Sequence, residues 1–472
     1  MTSADFNTGH WSLLVGCNVA MVTSPLAPTA VVVARGVRVG YGMGSFCTGT
    51  FSAVPGLLLL YYMTNVLAVH AGQAGLVIFL PALGDIFINP YVGHRSDLTI
   101  SRFGARRPWL LLGALTMPAT FALTFAGPPL TGGPAAIYVG GFFFLTTTAY
   151  AFFEVPYRTM PAEMTGNYHE RSSLLQWRMI FLGLAILLSG AGAPLITDYE
   201  RAGGSVNGYR LMGVVVGFVL LGAMLGTFFG TANAPVVGHT EAEPRLTVQL
   251  SVARMNRHFL TLLCLSCAQM FAAGTMLADV PYFATYVLGN PNATSTLFVC
   301  LVGPMLVTMP SWVWLARRLD KRGAMILASA LLLAGAAGMA LSPLGPIYTH
   351  LCALLVGVGY SGIQLLQFSM LADVIAHDAL VTAKRRAGVF TGLWAACETV
   401  VFAFGALVLS WVLGAAGFVE SDARRHVAQP ESAVQAVLFG GTLMPAAFIA
   451  LAIVLTWRYR LNAVAMVTAQ PS

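Results

Sequence analysis

Charge is what this sequence has least of. Of its 472 residues only 9% are Asp, Glu, Lys or Arg, and 57% are hydrophobic; soluble domains carry about 25% charged residues. An ordinary soluble domain and a disordered chain are both excluded. Cysteine is also scarce, at seven, an odd number that implies no disulfide framework. Most of these cysteines lie inside apolar runs (Cys47, Cys300, Cys352, Cys397), and the CxxC of Cys264 and Cys267 falls within "TLLCLSCAQM". They read as ordinary buried thiols, not as a redox or zinc site. The nine histidines are dispersed, and no HExxH, GxSxG or phosphate loop occurs. No enzyme, resident metal or cofactor is therefore expected. The net charge of +7 is spread over short loops, so it is not a nucleic-acid footprint.

What is present is apolar length. Stretches of 18 or more apolar residues recur throughout, each able to cross a hydrocarbon core of about 30 Å. Gly/Pro breaks and charge clusters place twelve helical spans, near 39–69, 72–94, 108–127, 135–160, 172–195, 209–232, 257–288, 292–316, 324–343, 346–372, 388–414 and 434–457. The expected organisation is a leader (1–37), a first six-helix bundle (38–232), a polar central loop (233–256), a second six-helix bundle (257–457) and a tail (458–472). Of the 25 Lys and Arg residues, 21 fall on one side of this layout and only Arg201, Arg210, Arg424 and Arg425 on the other. The positive-inside rule then puts both termini and the central loop in the cytoplasm of a multi-pass cell-membrane protein. The stretch "NPYVGHRSDLTISRFGARRPW" after span 2 is echoed by "MPSWVWLARRLDKRGAM" after span 8, the half-to-half symmetry of repeat-built transporters.

Acids at membrane depth are the candidates for chemistry, since they cost on the order of 2.5–3.5 kcal/mol to insert. In "GDIFINPYVGHRSD", Asp85, Asn89, Gly93 and Asp97 form one helical stripe roughly 18 Å long. Asp85 reads as a cation or proton site, with Asn89 adding a carbonyl, or else as a protonated helix–helix tether. Glu154 in "AYAFFEVPYRTMPAEM" is a second candidate near two helix-breaking prolines; its plainer reading is a pair with Arg158 at i+4. Arg178 either snorkels to headgroups or turns inward to neutralise Asp85 or Glu154 and hold substrate. Asp279, followed by Tyr282, and Glu398 are the intramembrane acids of the second half, read equally as substrate-side groups or tethers. Trp177 and Trp394 either stack on a substrate ring or pack the bundle. Asp97, Arg106, Arg107, Asp373, Arg385 and Arg386, at loops 2–3 and 10–11, are expected to form a cytoplasmic gate.

Three stretches carry a resemblance: "GDIFINPYVGHRSDLTISRFGARRPWLLLGA", "FFEVPYRTMPAEMTGNYHERSSLLQWR" and "MLADVIAHDALVTAKRRAGVFTGLW". Together they resemble the glycoside–pentoside–hexuronide:cation symporters, the melibiose-permease branch of the major facilitator superfamily. The resemblance implies an all-α fold of 12 transmembrane helices in two pseudo-symmetric six-helix bundles. It assigns Asp85 and Glu154 to cation coupling and Arg178 to the sugar site. It also marks departures: the second span-2 acid is Asn89 here, a span-1 acid falls near Gly49, and a span-11 lysine falls near Thr399. The expectation is a monomeric secondary transporter in the lipid bilayer, moving a glycoside, sugar or related small solute with H+ more readily than Na+. A lysophospholipid transporter of the same fold and a non-transporting sensor or scaffold are the alternatives.

Overall fold

The computed structural model describes residues 33–165, 168–198, 206–235, 254–382, 387–422 and 427–459. Six long helices make the first half: α1 (Arg35–Asn65), α2 (Ala71–Asp97), α3 (Arg107–Phe125), α4 (Gly132–Met164), α5 (Tyr168–Asp198) and α6 (Val206–Gly230). The second half opens with α7 (Arg257–Tyr282), which runs on into a π-helical turn, Phe283–Val287. It continues through α8 (Ala293–Val302), α9 (Pro304–Met339), α10 (Pro346–Thr382) and α11 (Ala387–Ala415). The last span is α12 (Glu431–Leu438), a second π-helical turn, Phe439–Leu443, and α13 (Met444–Arg458). The leader assigned to 1–37 ends earlier than expected, because α1 already begins at Arg35; residues 1–32 and most of the central loop lie outside the described residues.

Among the described residues eleven helical stretches are long and apolar enough to cross a membrane, and one of them, Ala293–Met339, has 47 residues. At 1.5 Å per residue it measures about 70 Å, twice what one crossing needs. Asp320 divides it: its backbone is turned to φ 64° and ψ 157° inside α9, a region that non-glycine residues rarely occupy. Twelve spans result. Leu80, Phe87, Ile137, Val307 and Ile347 are exposed on the outside, an apolar belt too extensive for a water-soluble monomer.

Packing within each half uses small residues, since lipid supplies no hydrophobic drive between helices. At the α1–α6 crossing a Cβ on Gly40 would lie 2.6 Å from the Gly230 Cα, so only glycine permits that approach. The cysteines departed from expectation. All those described are free, but Cys47 alone is buried, while Cys264 is exposed and the others half-buried.

The two halves meet at one end. α1 packs on α7, the start of α2 on the end of α11, and α5 on α8. These contacts are tight: a Cβ on Gly75 would lie 2.0 Å from Ser410 Oγ, and one on Gly190 2.1 Å from Phe298. This is the end with few basic residues. At the arginine-rich end, charged groups instead tie each half to itself: Arg38 Nη2 to Glu170 Oε2 (3.0 Å) in the first, Lys321 Nζ to Asp373 Oδ2 (2.6 Å) in the second. There the polar Asn89 of α2 and the charged Arg158 of α4 are exposed although both lie on membrane spans. The molecule is closed at its basic-poor end and open at its basic end.

Candidate functional site

The open end leads to a charged cluster on α4. Glu154 lies ten residues before the end of α4, about 15 Å along the axis. The helix repeat sets Arg158 one turn further on the same face, and its Nε donates to Glu154 Oε1 at 2.5 Å. Arg178, projecting from α5, donates to the same oxygen from Nη2 at 3.3 Å. Thr48 of α1 donates to Oε2 at 2.7 Å. Glu154 is thus 4% exposed and satisfied by three helices, whereas the Arg158 side chain is 49% exposed. An exposed guanidinium this deep in a membrane span faces an aqueous cavity, not lipid.

The wall behind the arginines is aromatic. The Arg178 guanidinium lies over the Tyr157 ring, 5.5 Å from its centroid, a cation–π arrangement. Tyr157 stacks on Tyr41 at 4.6 Å, and its hydroxyl donates to the Tyr41 carbonyl at 2.9 Å and pairs with Ser45 Oγ at 2.7 Å. Arg178 therefore turns inward, and its Nε remains buried without a partner. Thr48 and Tyr157 went unnoticed in the sequence. Neither residue type signals a site, and only the fold sets them beside Glu154.

From the second half, Glu398 of α11 lies close enough for its charge to act on Arg158. It also acts on Tyr360 of α10, whose hydroxyl accepts a hydrogen bond from Gln364 at 2.7 Å. Trp394, one turn before Glu398, is 3% exposed and lies 6.5 Å from Phe368; Trp177 is half-buried, 6.2 Å from Phe181. Trp394 is packed as a bundle residue. Asp85 stands apart from the cluster. It is half-buried, Oδ1 is enclosed without a hydrogen-bond partner among the described residues, and Asn89 one turn on is exposed. The structure brings Glu154 and Arg178 into contact but gives Asp85 no bond to either.

At the basic end the expected gate residues divide. Arg106 is 6% exposed and forms a clasp: Nη2 meets Glu163 Oε1 at 2.5 Å, Nε meets the same oxygen at 3.0 Å, and Nη1 meets Ser96 Oγ at 2.6 Å and Asp97. Burial works against its charge, but the hydrogen bonds and charges of Glu163 and Asp97 outweigh it and raise its pKa. Arg107 turns elsewhere, capping α6 by donating to the Phe228 carbonyl at 3.0 Å with its guanidinium 4.5 Å from the Phe228 ring. The second half repeats the clasp with Lys321 and Asp373. In both halves a cation at the start of the third span is held by an acid near the basic end of the fourth. Arg385 and Arg386 lie outside the described residues.

At the closed end the seam is polar. Thr64 Oγ1 and Tyr282 OH pair at 2.6 Å, Tyr61 OH and Thr285 Oγ1 at 3.1 Å, and Tyr286 OH donates to Asn65 Oδ1. Ser421, after α11, lies across the end of α1, its N–H on the Thr64 carbonyl and its carbonyl on the Ala68 N–H, both at 3.1 Å. Tyr282 belongs to this seam and is fully buried. Asp279, expected as either a substrate-side group or a tether, points into the second half, 1% exposed among Met276, Phe283, Leu297, Leu301 and Met339.

With this geometry in place, comparison with known proteins decides the family. A family model described as "MFS/sugar transport protein" matches residues 40–463. The chain belongs to that family. It is 26% identical to an uncharacterized symporter, sll1374, of Synechocystis over 87% of this chain and 91% of that protein. It is 25% identical to a putative glycoside/cation symporter, YagG, of Escherichia coli over 83% and 85%. The fold is that of the solved D-xylose-proton symporter, with a TM-score of 0.60 at 14% identity, covering 91% of this chain and 98% of that one. This is an all-α major facilitator transporter, not an enzyme: a multi-pass, secondary-active carrier of a small organic solute, in a family of ion-coupled symporters.

Proposed function

We propose that this transporter couples proton entry to uptake of a glycoside or similar hydroxylated solute, as a member of the melibiose-permease branch, and that the structure is its inward-open state. The observation that carries the reading is the Glu154 cluster: a carboxylate clasped by Thr48, Arg158 and Arg178, with Arg158 half exposed to the cavity. On this reading the basic end faces the cytoplasm, where the positive-inside rule places it.

Roles then follow from pairing. Glu154 already accepts from two guanidiniums and a hydroxyl, so it serves as the charged partner that aims the arginines at solute. Asp85, with an enclosed and unbonded oxygen, is the place for the driving proton. Asn89 removes one negative charge from a sodium site on the same stripe, which favours H+ over Na+. Solute bound between Arg158, Arg178, Tyr157 and Glu398 bridges the halves and draws the basic ends together. Asp97 and Asp373, each tied to its own half here, would exchange partners with the loops opposite in that step.

Purified transporter in proteoliposomes, under an imposed pH gradient, tests this directly. Glycoside uptake should follow the gradient, and Asp85→Asn should abolish accumulation while leaving counterflow. Undiminished gradient-driven uptake by Asp85→Asn would remove Asp85 from coupling. Transport of lysophospholipid, with no glycoside counterflow, would overturn the solute assignment.

A further inference from the structure

A second acid is buried where neither the central cluster nor the clasps use it. Asp279 is 1% exposed, and among the described residues neither of its carboxylate oxygens has a hydrogen-bond partner. The surroundings are made for it. A Cβ on Gly441 would lie 2.1 Å from Oδ2, so the glycine pair of "FGGTL" is what leaves room for the carboxyl. That pair lies in the π-helical turn Phe439–Leu443, and the other π-helical turn, Phe283–Val287, begins four residues after Asp279. Such turns concentrate at functional sites in helices. A small cavity of about 10 Å³ adjoins the carboxyl.

Among the described residues no cation balances it. From α8 it faces Leu297 and Leu301, from α9 Met339, and from the last span Gly441. The titratable group near it is Tyr282, one turn along α7, whose own hydroxyl is engaged with Thr64. An ionised carboxylate in such a place would carry an uncompensated desolvation cost; a neutral acid would not. The same helix leads straight to the seam that closes the basic-poor end. Tyr282 reaches Thr64, and the π-helical turn after it carries Thr285 and Tyr286 to Tyr61 and Asn65.

We propose that Asp279 is a proton-binding site of the second half, occupied while the basic-poor end is closed and emptied to that side when it opens. Opening parts Tyr282, Thr285 and Tyr286 from α1. The shift this imposes on the π-helical turn beside Phe283 admits water to the carboxyl within the second half, where it ionises like an ordinary aspartic acid, at about pH 4. The O–H bond breaks, the proton leaves to that solution, and the carboxylate is hydrated. One proton is thus released per opening, and alkaline pH favours the open seam by about tenfold per unit. This inference does not rest on the coupling role of Asp85.

Full-length protein in nanodiscs, without solute, provides the test. Amide hydrogen exchange of residues 61–70 and 283–292, corrected for intrinsic rates, reads opening of the seam across pH. Wild type should open about tenfold more per pH unit, and Asp279→Asn should stay closed with a flat profile. Infrared difference spectra of wild type against Asp279→Asn at pH 7 should show a protonated-carboxyl stretch missing from the variant. If Asp279→Asn does not fold, Asp85→Asn alone serves: it should lose a protonated-carboxyl band in step with seam opening. A pH-independent seam in wild type, an unchanged slope in Asp279→Asn, or a carboxylate band in place of the acid would each overturn the proposal. Loss of proton-driven uptake in Asp85→Asn with the Asp279 band intact separates failure of one site from failure of the other.

Discussion

Replacing Arg106 by alanine removes the cation from a clasp of two carboxylates, and the two should respond unequally. Glu163 is 8% exposed at its side chain and Asp97 26%. Leaving a buried carboxylate unpaired costs about 3–5 kcal/mol, whereas the partly exposed Asp97 contributes at most about 1 kcal/mol. Arg106→Ala should therefore lower the unfolding free energy by about 3–5 kcal/mol, nearly all of it from the stranded Glu163. Adding Glu163→Gln removes that charge, so the double variant should be more stable than the sum of the singles by about 1–3 kcal/mol. Denaturant titration in mixed micelles, followed by tryptophan fluorescence, measures all four corners of the cycle. A loss below about 1 kcal/mol for Arg106→Ala, or strict additivity in the double variant, would refute the reasoning. The clasp would then be a surface ion pair with no stake in burial.

Other expectations follow from single contacts. Glu154→Gln takes the charged partner from Arg158 and Arg178, and solute counterflow should fall at least about tenfold, the equivalent of about 1.4 kcal/mol, with folding retained; unchanged counterflow would mean that the arginines need no aiming. Gly190→Val sets a side chain where a Cβ alone would lie 2.1 Å from Phe298, so closure of the basic-poor end should fail and seam residues should become reactive to impermeant thiol reagents in single-cysteine reporters. Thr64→Val strips the hydroxyl that pairs with Tyr282, and loss of one such bond, about 1 kcal/mol, should raise seam opening about fivefold by hydrogen exchange. Phe228 accepts Arg107 through its backbone carbonyl, so Phe228→Leu should keep that bond while losing the ring's contacts with the guanidinium and with Phe103 and Phe229, at about 1–2 kcal/mol of stability.

The membrane spans were legible because hydropathy acts locally: a segment either can or cannot cross the hydrocarbon on its own sequence. Their ends were less so. α10 continues to Thr382, ten residues past the expected limit, because a span can project into water while its partner helix supports it. The break at Asp320 falls in the charge cluster expected to separate the spans at 292–316 and 324–343, whereas the two π-helical turns had no sequence signal, since they are set by what packs against them. The pair of Glu154 with Arg158 was readable from its spacing of four. The inward turn of Arg178 was not, because snorkelling and inward pairing satisfy the same residue equally until helix rotation is known.

The sequence by itself determined a polytopic helical membrane protein, its twelve spans, the side on which charge accumulates and the acids that needed an explanation. Each of these depends on the free energy of one segment or one side chain between water and lipid. Beyond the i, i+4 pair of Glu154 with Arg158, tertiary structure decided which acid meets which cation. It put Glu154 between two arginines, left Asp85 unbonded, divided Arg106 from Arg107 and sent Asp279 into the second half beneath the closed seam. Those choices depend on the relative rotation and approach of helices far apart in the chain. Packing sets such distances through small residues such as Gly40, Gly190 and Gly441, and no local pattern records them.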